Sequence, residues 1–346
     1  LAAAPALLAT TARADGLARA ELFTTTDDGV RIHMREVAPP APRGAPLILV
    51  HGARAPGIAS FDLAVPGGSL AADLATKLNR RVYLLDARGY GGSRRPATMD
   101  RPPEKSRPLS RAHEVVRDID AVVKLAAKRN GGARPALLGW ATGGLWSGWH
   151  AALRPEAVSG LVTLNALYGG SDVHPMLGPG SAFAQPSQPR RFDPATGGYA
   201  LYAGTSLLDR WNSNIPITDK DAWRDPAVAA ALAQAALDSD SKAAVGNPPR
   251  FRAPLGALED SFHQACGRRL YDAGSITAPV LLIRSGADFW SRPADVSAFA
   301  ADAERSAKVT TVEIPDATHF VHLDRPERGR DRLLAELTAF FQGLPA

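Results

Sequence analysis

Along this chain, short unbroken apolar runs alternate with stretches in which apolar residues recur every three or four positions. Leu47-Ile48-Leu49-Val50 and Val82-Tyr83-Leu84-Leu85 are runs of the first kind, and Leu161-Val162-Thr163-Leu164 reads as a further strand. A strand without polar alternation is one buried on both faces of a parallel sheet. Between them, residues 67–80 set Leu70, Leu74 and Leu78 on one helical face, and residues 110–130 read as a second amphipathic helix. Ahead of the first run, residues 22–26 and 30–37 flank Asp27-Asp28-Gly29, which predicts a hairpin. Strands alternating with helices at this spacing predict an α/β fold: a mostly parallel twisted sheet with helices on both faces.

The rhythm breaks after Tyr168. Over residues 169–276 no buried strand is evident; there are Gly-, Pro- and Ser-rich loops at 178–198 and helical pieces such as 225–237. A compact sheet does not otherwise carry so long a connection, so the pattern predicts an inserted, largely helical cap. The sheet pattern returns with Val280-Leu281-Leu282-Ile283 and residues 309–314. A closing helix over 328–341 sets Leu333, Leu334, Leu337, Phe340 and Phe341 along one stripe. The expected division is a core from 21–168, a cap from 169–276 and the core again from 277–346. Residues 1–20 stand apart. Their apolar start and small-x-small site Ala12-Arg13-Ala14 read either as the remnant of a secretory signal or as a helical arm packed on the domain, so an exported and a cytoplasmic protein are both open.

Composition narrows the function classes. Of the 346 residues 45% are apolar and 22% charged, an ordinary globular balance. The net charge of +5 comes from scattered arginines with acids nearby and no basic block, which argues against nucleic acid. No run is long enough to span a bilayer. The one cysteine, Cys266, excludes an intrachain disulfide and reads as a buried, inert thiol. His33, His113, His150, His174 and His263 have no ligand-like spacing, so neither a metal nor a cofactor is expected. The loop Arg88-Gly89-Tyr90-Gly91-Gly92-Ser93 lacks the Gly-Lys-Ser/Thr of a phosphate cradle and reads as a turn. Nothing marks an oligomeric state.

The chemistry-bearing stretch is Ala136-Leu137-Leu138-Gly139-Trp140-Ala141-Thr142-Gly143-Gly144. An apolar run, two glycines four apart and then a helix form the strand-turn-helix pattern of a nucleophile elbow, G-x-S-x-G. Gly139 and Gly143 answer the crowding of that turn. The centre is Ala141, and three readings are open: a serine replaced in order to trap a bound ester, which we favour, a natural non-catalytic descendant, or an elbow that held Asp or Cys. Thr142 begins the helix and is a poor substitute nucleophile. Two more strand-end loops carry chemistry, Asp288 after one strand and His319 after the last, in the order elbow, acid, histidine. His322 is the rival base and ranks below His319.

With these motifs, together with His51-Gly52 and Asp86-Ala87-Arg88-Gly89-Tyr90-Gly91, the chain resembles the α/β-hydrolase fold family with an inserted cap, the broad group of esterases, lactonases, proline iminopeptidase-like enzymes and carbon–carbon bond hydrolases. The likeness covers 21–168 and 277–346; the cap matches nothing we can name. It implies a nucleophilic serine at position 141, His319 as base, and Asp288 holding the imidazole. It also implies an oxyanion hole from the backbone N–H groups of Ala53 and Thr142. The implied substrate is a small carboxylic ester or lactone, and Ala141 makes this chain inactive. Trp140 and Trp290 are candidate substrate contacts. Arg54 is expected to pair with an acid, with an anionic substrate group as its alternative partner. Two other functions compete: an epoxide hydrolase or dehalogenase with Asp at 141, which the cap tyrosines Tyr199, Tyr202 and Tyr271 keep alive, and a ligand-binding pseudoenzyme.

Overall fold

The computed structural model describes residues 8–12 and 15–344. The first strands are β1 (Leu8–Ala12), β2 (Ala18–Thr25), β3 (Arg31–Ala38), β4 (Leu47–Val50), β5 (Val82–Leu85), β6 (Ala136–Trp140) and β7 (Gly160–Leu164). The helices among them are α1 (Gly57–Phe61), α2 (Leu70–Leu78), α3 (Ala112–Arg129) and α4 (Thr142–Leu153). The long connection that follows carries β8 (Ala184–Gln185), β9 (Gln188–Phe192), β10 (Tyr199–Tyr202), α5 (Ser206–Asn214), α6 (Pro226–Asp238), β11 (Phe251–Pro254) and α7 (Gly256–Ala265). The chain then returns to the sheet through β12 (Val280–Ser285), α8 (Pro293–Asp302), β13 (Val309–Ile314) and α9 (Arg330–Gln342).

Among the described residues the main sheet runs β1-β2-β3-β5-β4-β6-β7-β12-β13. From β5 to β13 all pairs are parallel, while β1, β2 and β3 add an antiparallel edge. Every residue of β4, β5, β6 and β7 is buried, as their near-continuous apolar runs predict. Helices cover both faces, with α3 packed on α4 and α2 on α9. The strand order reverses around β4, whose neighbours are β5 and β6. The crevice beyond the carboxyl ends of β4 and β6 is therefore the switch point at which open α/β sheets bind ligands.

Helix limits differ from the sequence pattern by a few residues, for local reasons. α2 starts at Leu70 because Ser69 accepts the Ala72 N–H at 2.9 Å, and it stops where Asn79 turns left-handed at φ 52°. Two larger expectations need correction. The segment between β7 and β12 contains two short antiparallel ribbons, β8 with β9 and β10 with β11, where the sequence shows no clear buried strand. β9 is a Pro- and Arg-bearing strand, exposed except at Phe192, and β10 and β11 are only four residues long, so none shows a two-residue period. The helical reading of the N-terminal arm gives way to a strand over 8–12 paired with β2. Residues 1–7 and 13–14, with most of the small-x-small site, lie outside the described residues. The Cys266 thiol is buried beside Phe192 and Phe262. No described helix is long and apolar enough to cross a membrane.

Candidate active site

β6 delivers Ala141 to the switch point in a conformation few side chains adopt, φ 52° and ψ −120°. Its own N–H donates to Leu164 O at 2.8 Å, which anchors the turn on β7. The two elbow glycines are there because nothing larger fits. A Cβ on Gly139 would lie 2.2 Å from Gly143 O, and one on Gly143 would lie 2.1 Å from Val50 O. A turn this tight, bracketed on both sides, keeps residue 141 in a backbone state that costs about 1–3 kcal/mol.

Asp288 and His319 meet across the ends of β12 and β13. His319 Nδ1 and Asp288 Oδ1 are 2.7 Å apart. The carboxylate is held by three further donors: Trp290 N–H on Oδ1 at 3.0 Å, and Ser291 N–H (2.8 Å) and hydroxyl on Oδ2. The histidine peptide is fixed at both ends. Its N–H donates to Asn214 Oδ1 at 2.7 Å, and its carbonyl accepts from Trp140 Nε1 at 3.0 Å and Asn165 Nδ2 at 3.1 Å. Asn214, the last residue of α5, also donates to Ala287 O, so one side chain of the insertion ties the acid loop to the histidine loop. Thr318, one residue before His319, gives its hydroxyl to the buried Asp324 at 2.7 Å. Burial pushes the Asp324 carboxyl up to about 6 despite that bond and one from Trp211 Nε1.

The loop after β4 brings Ala53 beside the elbow. A Cβ on Gly52 would be 3.1 Å from Ala141 Cβ. His51 is fully buried; its Nε2 accepts the Ala87 N–H at 3.0 Å while Nδ1 lies 2.6 Å from Gly52 O, which makes it a neutral imidazole holding the loop. Burial lowers its pKa, in keeping with that state. The backbone N–H groups of Ala53 and Thr142 donate to no other group among the described residues, and both residues line the same cavity as Ala141 and His319.

That cavity measures about 140 Å³. Its walls are mostly apolar, with Trp140, Phe289, Trp290 and Phe320 from the sheet ends and Leu177, Phe183, Tyr202 and Leu207 from the insertion. Arg54 and Arg210 are also on it. Arg54 has no acid partner among the described residues; its guanidinium lies 4.5 Å from the Tyr202 ring, so the expected ion pair is corrected to a cation–π contact. His322, the rival base, is fully buried away from the cavity, its ring against Trp140 at 4.6 Å and Phe61 at 5.7 Å. Burial, with the charges of His319 and Arg330, takes its pKa down to about 3. Among the described residues no three His, Cys, Asp or Glu side chains gather as a metal would need. Asn214, Asn165 and Ser291 were not singled out from the sequence; isolated polar residues give no periodic signal.

No curated protein matches the chain by sequence. Solved structures similar to it include the enol-lactonase from Burkholderia xenovorans LB400, 17% identical, covering 92% of this chain and 99% of that one with a TM-score of 0.59. Another is E-2-(acetamidomethylene)succinate hydrolase, 17% identical over 93% and 100% of the two chains, TM-score 0.57. A third is an esterase from Exiguobacterium antarcticum, 14% identical over 93% and 99%, TM-score 0.54. At such identities the likeness is one of fold. The sequence itself matches the alpha/beta hydrolase family over residues 47–331, from the first parallel strand past the histidine loop, and the chain belongs to that family.

Proposed function

We propose that the site is that of a serine hydrolase for a carboxylic ester or lactone, with Ala141 in the place of the nucleophilic serine and the insertion acting as its cap. The observation that carries this reading is the Asp288–His319 pair opening onto the same cavity as the strained elbow residue. A serine at 141 would attack the acyl carbonyl as His319 Nε2 takes its proton. The oxyanion would form against the Ala53 and Thr142 N–H groups, each worth about 2.7–4 kcal/mol in comparable sites. The alcohol would leave with the proton from His319. Water, deprotonated by the same imidazole, would then release the acid and restore the serine.

Ala141 draws no benefit from its strained backbone, which fits a serine replaced at a working elbow. Without the hydroxyl no acyl-enzyme forms, and a loss on the order of 10⁶ in kcat is expected. The reading with Asp at 141 loses support. Of the three cap tyrosines only Tyr202 lines the cavity; Tyr199 gives its hydroxyl to Arg101 O at 2.8 Å, and Tyr271 is packed against Tyr168 and Phe299. That structurally similar proteins include an enol-lactonase and an esterase supports ester or lactone chemistry.

The test is Ala141→Ser, assayed beside the present chain on p-nitrophenyl esters and lactones with a phosphonate probe. Turnover and labelling are expected only in the serine form. Neither appearing there would overturn the proposal and favour a ligand-binding role.

A further inference from the structure

We infer that the ligand of this cavity carries a carboxylate on an apolar body, bound by Arg54 and Arg210. The inference rests on the hydrolase reading for the bond that is cleaved, and on the cavity alone for what is bound. The ionisable side chains on the cavity wall are Arg54, Arg210, His319 and the phenol Tyr202, with no Asp or Glu among them. Neither arginine makes a side-chain hydrogen bond or ion pair among the described residues. Buried arginines of this chain are handled differently: Arg19, Arg88, Arg252 and Arg292 each meet a buried carboxylate within 3.0 Å. The two on the cavity are left for something the protein does not supply.

Their placement is fixed from opposite sides. Arg54 follows Ala53 on the oxyanion loop, in a left-handed turn at φ 74°, and its guanidinium rests on Tyr202. Arg210 sits on α5 next to Trp211, which is locked to Asp324 at 2.7 Å and stacks on Phe320, the neighbour of His319. Beside the His319 Nε2 acceptor and the Tyr202 hydroxyl, the wall offers two more groups able to donate. The Thr142 hydroxyl and the Trp290 indole N–H are both buried and without a partner among the described residues. A wall of apolar surface with unpaired donors fits a molecule that brings acceptors, and guanidinium favours the planar, two-oxygen geometry of a carboxylate. Arg54 is half-buried and carries the larger share; Arg210 is exposed and more screened.

The test uses the chain as it is, with Ala141, so that binding is read without turnover. Calorimetry compares the monoethyl ester of glutarate with its carboxamide counterpart, which has the same size and no charge. The anion is expected to bind about 10–100-fold tighter, the range of a charge-assisted pair. Arg54→Gln should remove most of that preference and Arg54→Gln with Arg210→Gln all of it, through a loss of anion affinity much larger than any change for the amide, while the melting temperature confirms folding. Equal affinities, no binding of the anion, or a preference that survives the double variant would overturn the inference. The same two esters given to Ala141→Ser separate the two readings. Hydrolysis of both without preference would sink the carboxylate site alone, and anion-selective binding without any hydrolysis would sink the hydrolase reading alone.

Discussion

Replacing Asn214 by Ala tests whether the inserted segment positions the acid and histidine loops. The side chain donates to Ala287 O and accepts the His319 N–H at 2.7 Å. The His319 carbonyl is held independently by Trp140 and Asn165, so the variant frees only one end of that peptide. Two lost hydrogen bonds remove about 1 kcal/mol each, and a backbone N–H left unmet in a residue only 6% exposed adds about 1 kcal/mol more. For 346 residues, an unfolding entropy near 2.1 cal/mol/K per residue converts that total of about 3 kcal/mol into a fall in Tm of about 4 °C. In the Ala141→Ser background, kcat should drop about 10–100-fold with KM nearly constant, because the imidazole is misaligned while the cavity walls are intact. Asn214→Asp keeps the acceptor for His319 N–H and loses the donor to Ala287, so most of kcat should return while Tm stays low. Calorimetric melting and p-nitrophenyl acetate hydrolysis measure the two halves. A Tm within about 1 °C of the parent, together with an unchanged kcat, would refute the reasoning.

Asp288→Asn, again with Ala141→Ser, should cut turnover by about 10⁴, the loss seen when the acid of a comparable triad becomes an amide. Both oxygens of Asp288 face donors, so an amide NH₂ must either oppose Ser291 N–H or push His319 into the tautomer that cannot act as base; a loss under tenfold in single-turnover ester hydrolysis would contradict this. His33 makes stability depend on alkaline pH. Burial opposes its charge, but Asp86 at 2.7 Å and Glu21 at 2.6 Å outweigh that and raise its pKa to about 9. A pKa raised from about 6.5 in the unfolded chain gives stabilisation that is complete below pH 6.5 and is lost as the pH rises through 9, roughly 3 kcal/mol in all. Urea unfolding from pH 6 to 9.5 should show that decline relative to His33→Gln, and parallel curves for the two proteins would count against it.

What the sequence revealed and what it hid divide along a physical line. β4, β5 and β7 were legible because strands buried on both faces read as near-continuous apolar runs, broken here only by Thr163, and the elbow because two glycines four apart answer a local steric demand. Asp288 and His319 were legible through order along the chain, each closing a strand whose apolar run marks it. Hidden were the polar residues that align them. Asn214 bonds across 105 residues to His319, and Asn165 across 120 to Ser285. Neither pairing leaves a trace in spacing. Asp86 was legible only as the head of a loop motif shared with the family; in the fold it also accepts from His33 and from the Gly57 N–H at 2.8 Å, binding the antiparallel strand β3 to the loops around the cavity.

The same division explains why an alanine at the elbow leaves the rest of the site in place. The strain at residue 141 is imposed by Gly139, Gly143, Val50 O and the bond to Leu164, none of which involves the side chain. The imidazole is oriented by Asp288, and its peptide by Asn214, Trp140 and Asn165, again without reference to residue 141. An elbow and a histidine held by groups other than the side chain of residue 141 keep their placement whether that position carries Ala or Ser. Restoring one oxygen atom should therefore require no rearrangement, and the stabilities of the two forms should differ by little more than the burial of a hydroxyl that has His319 within reach.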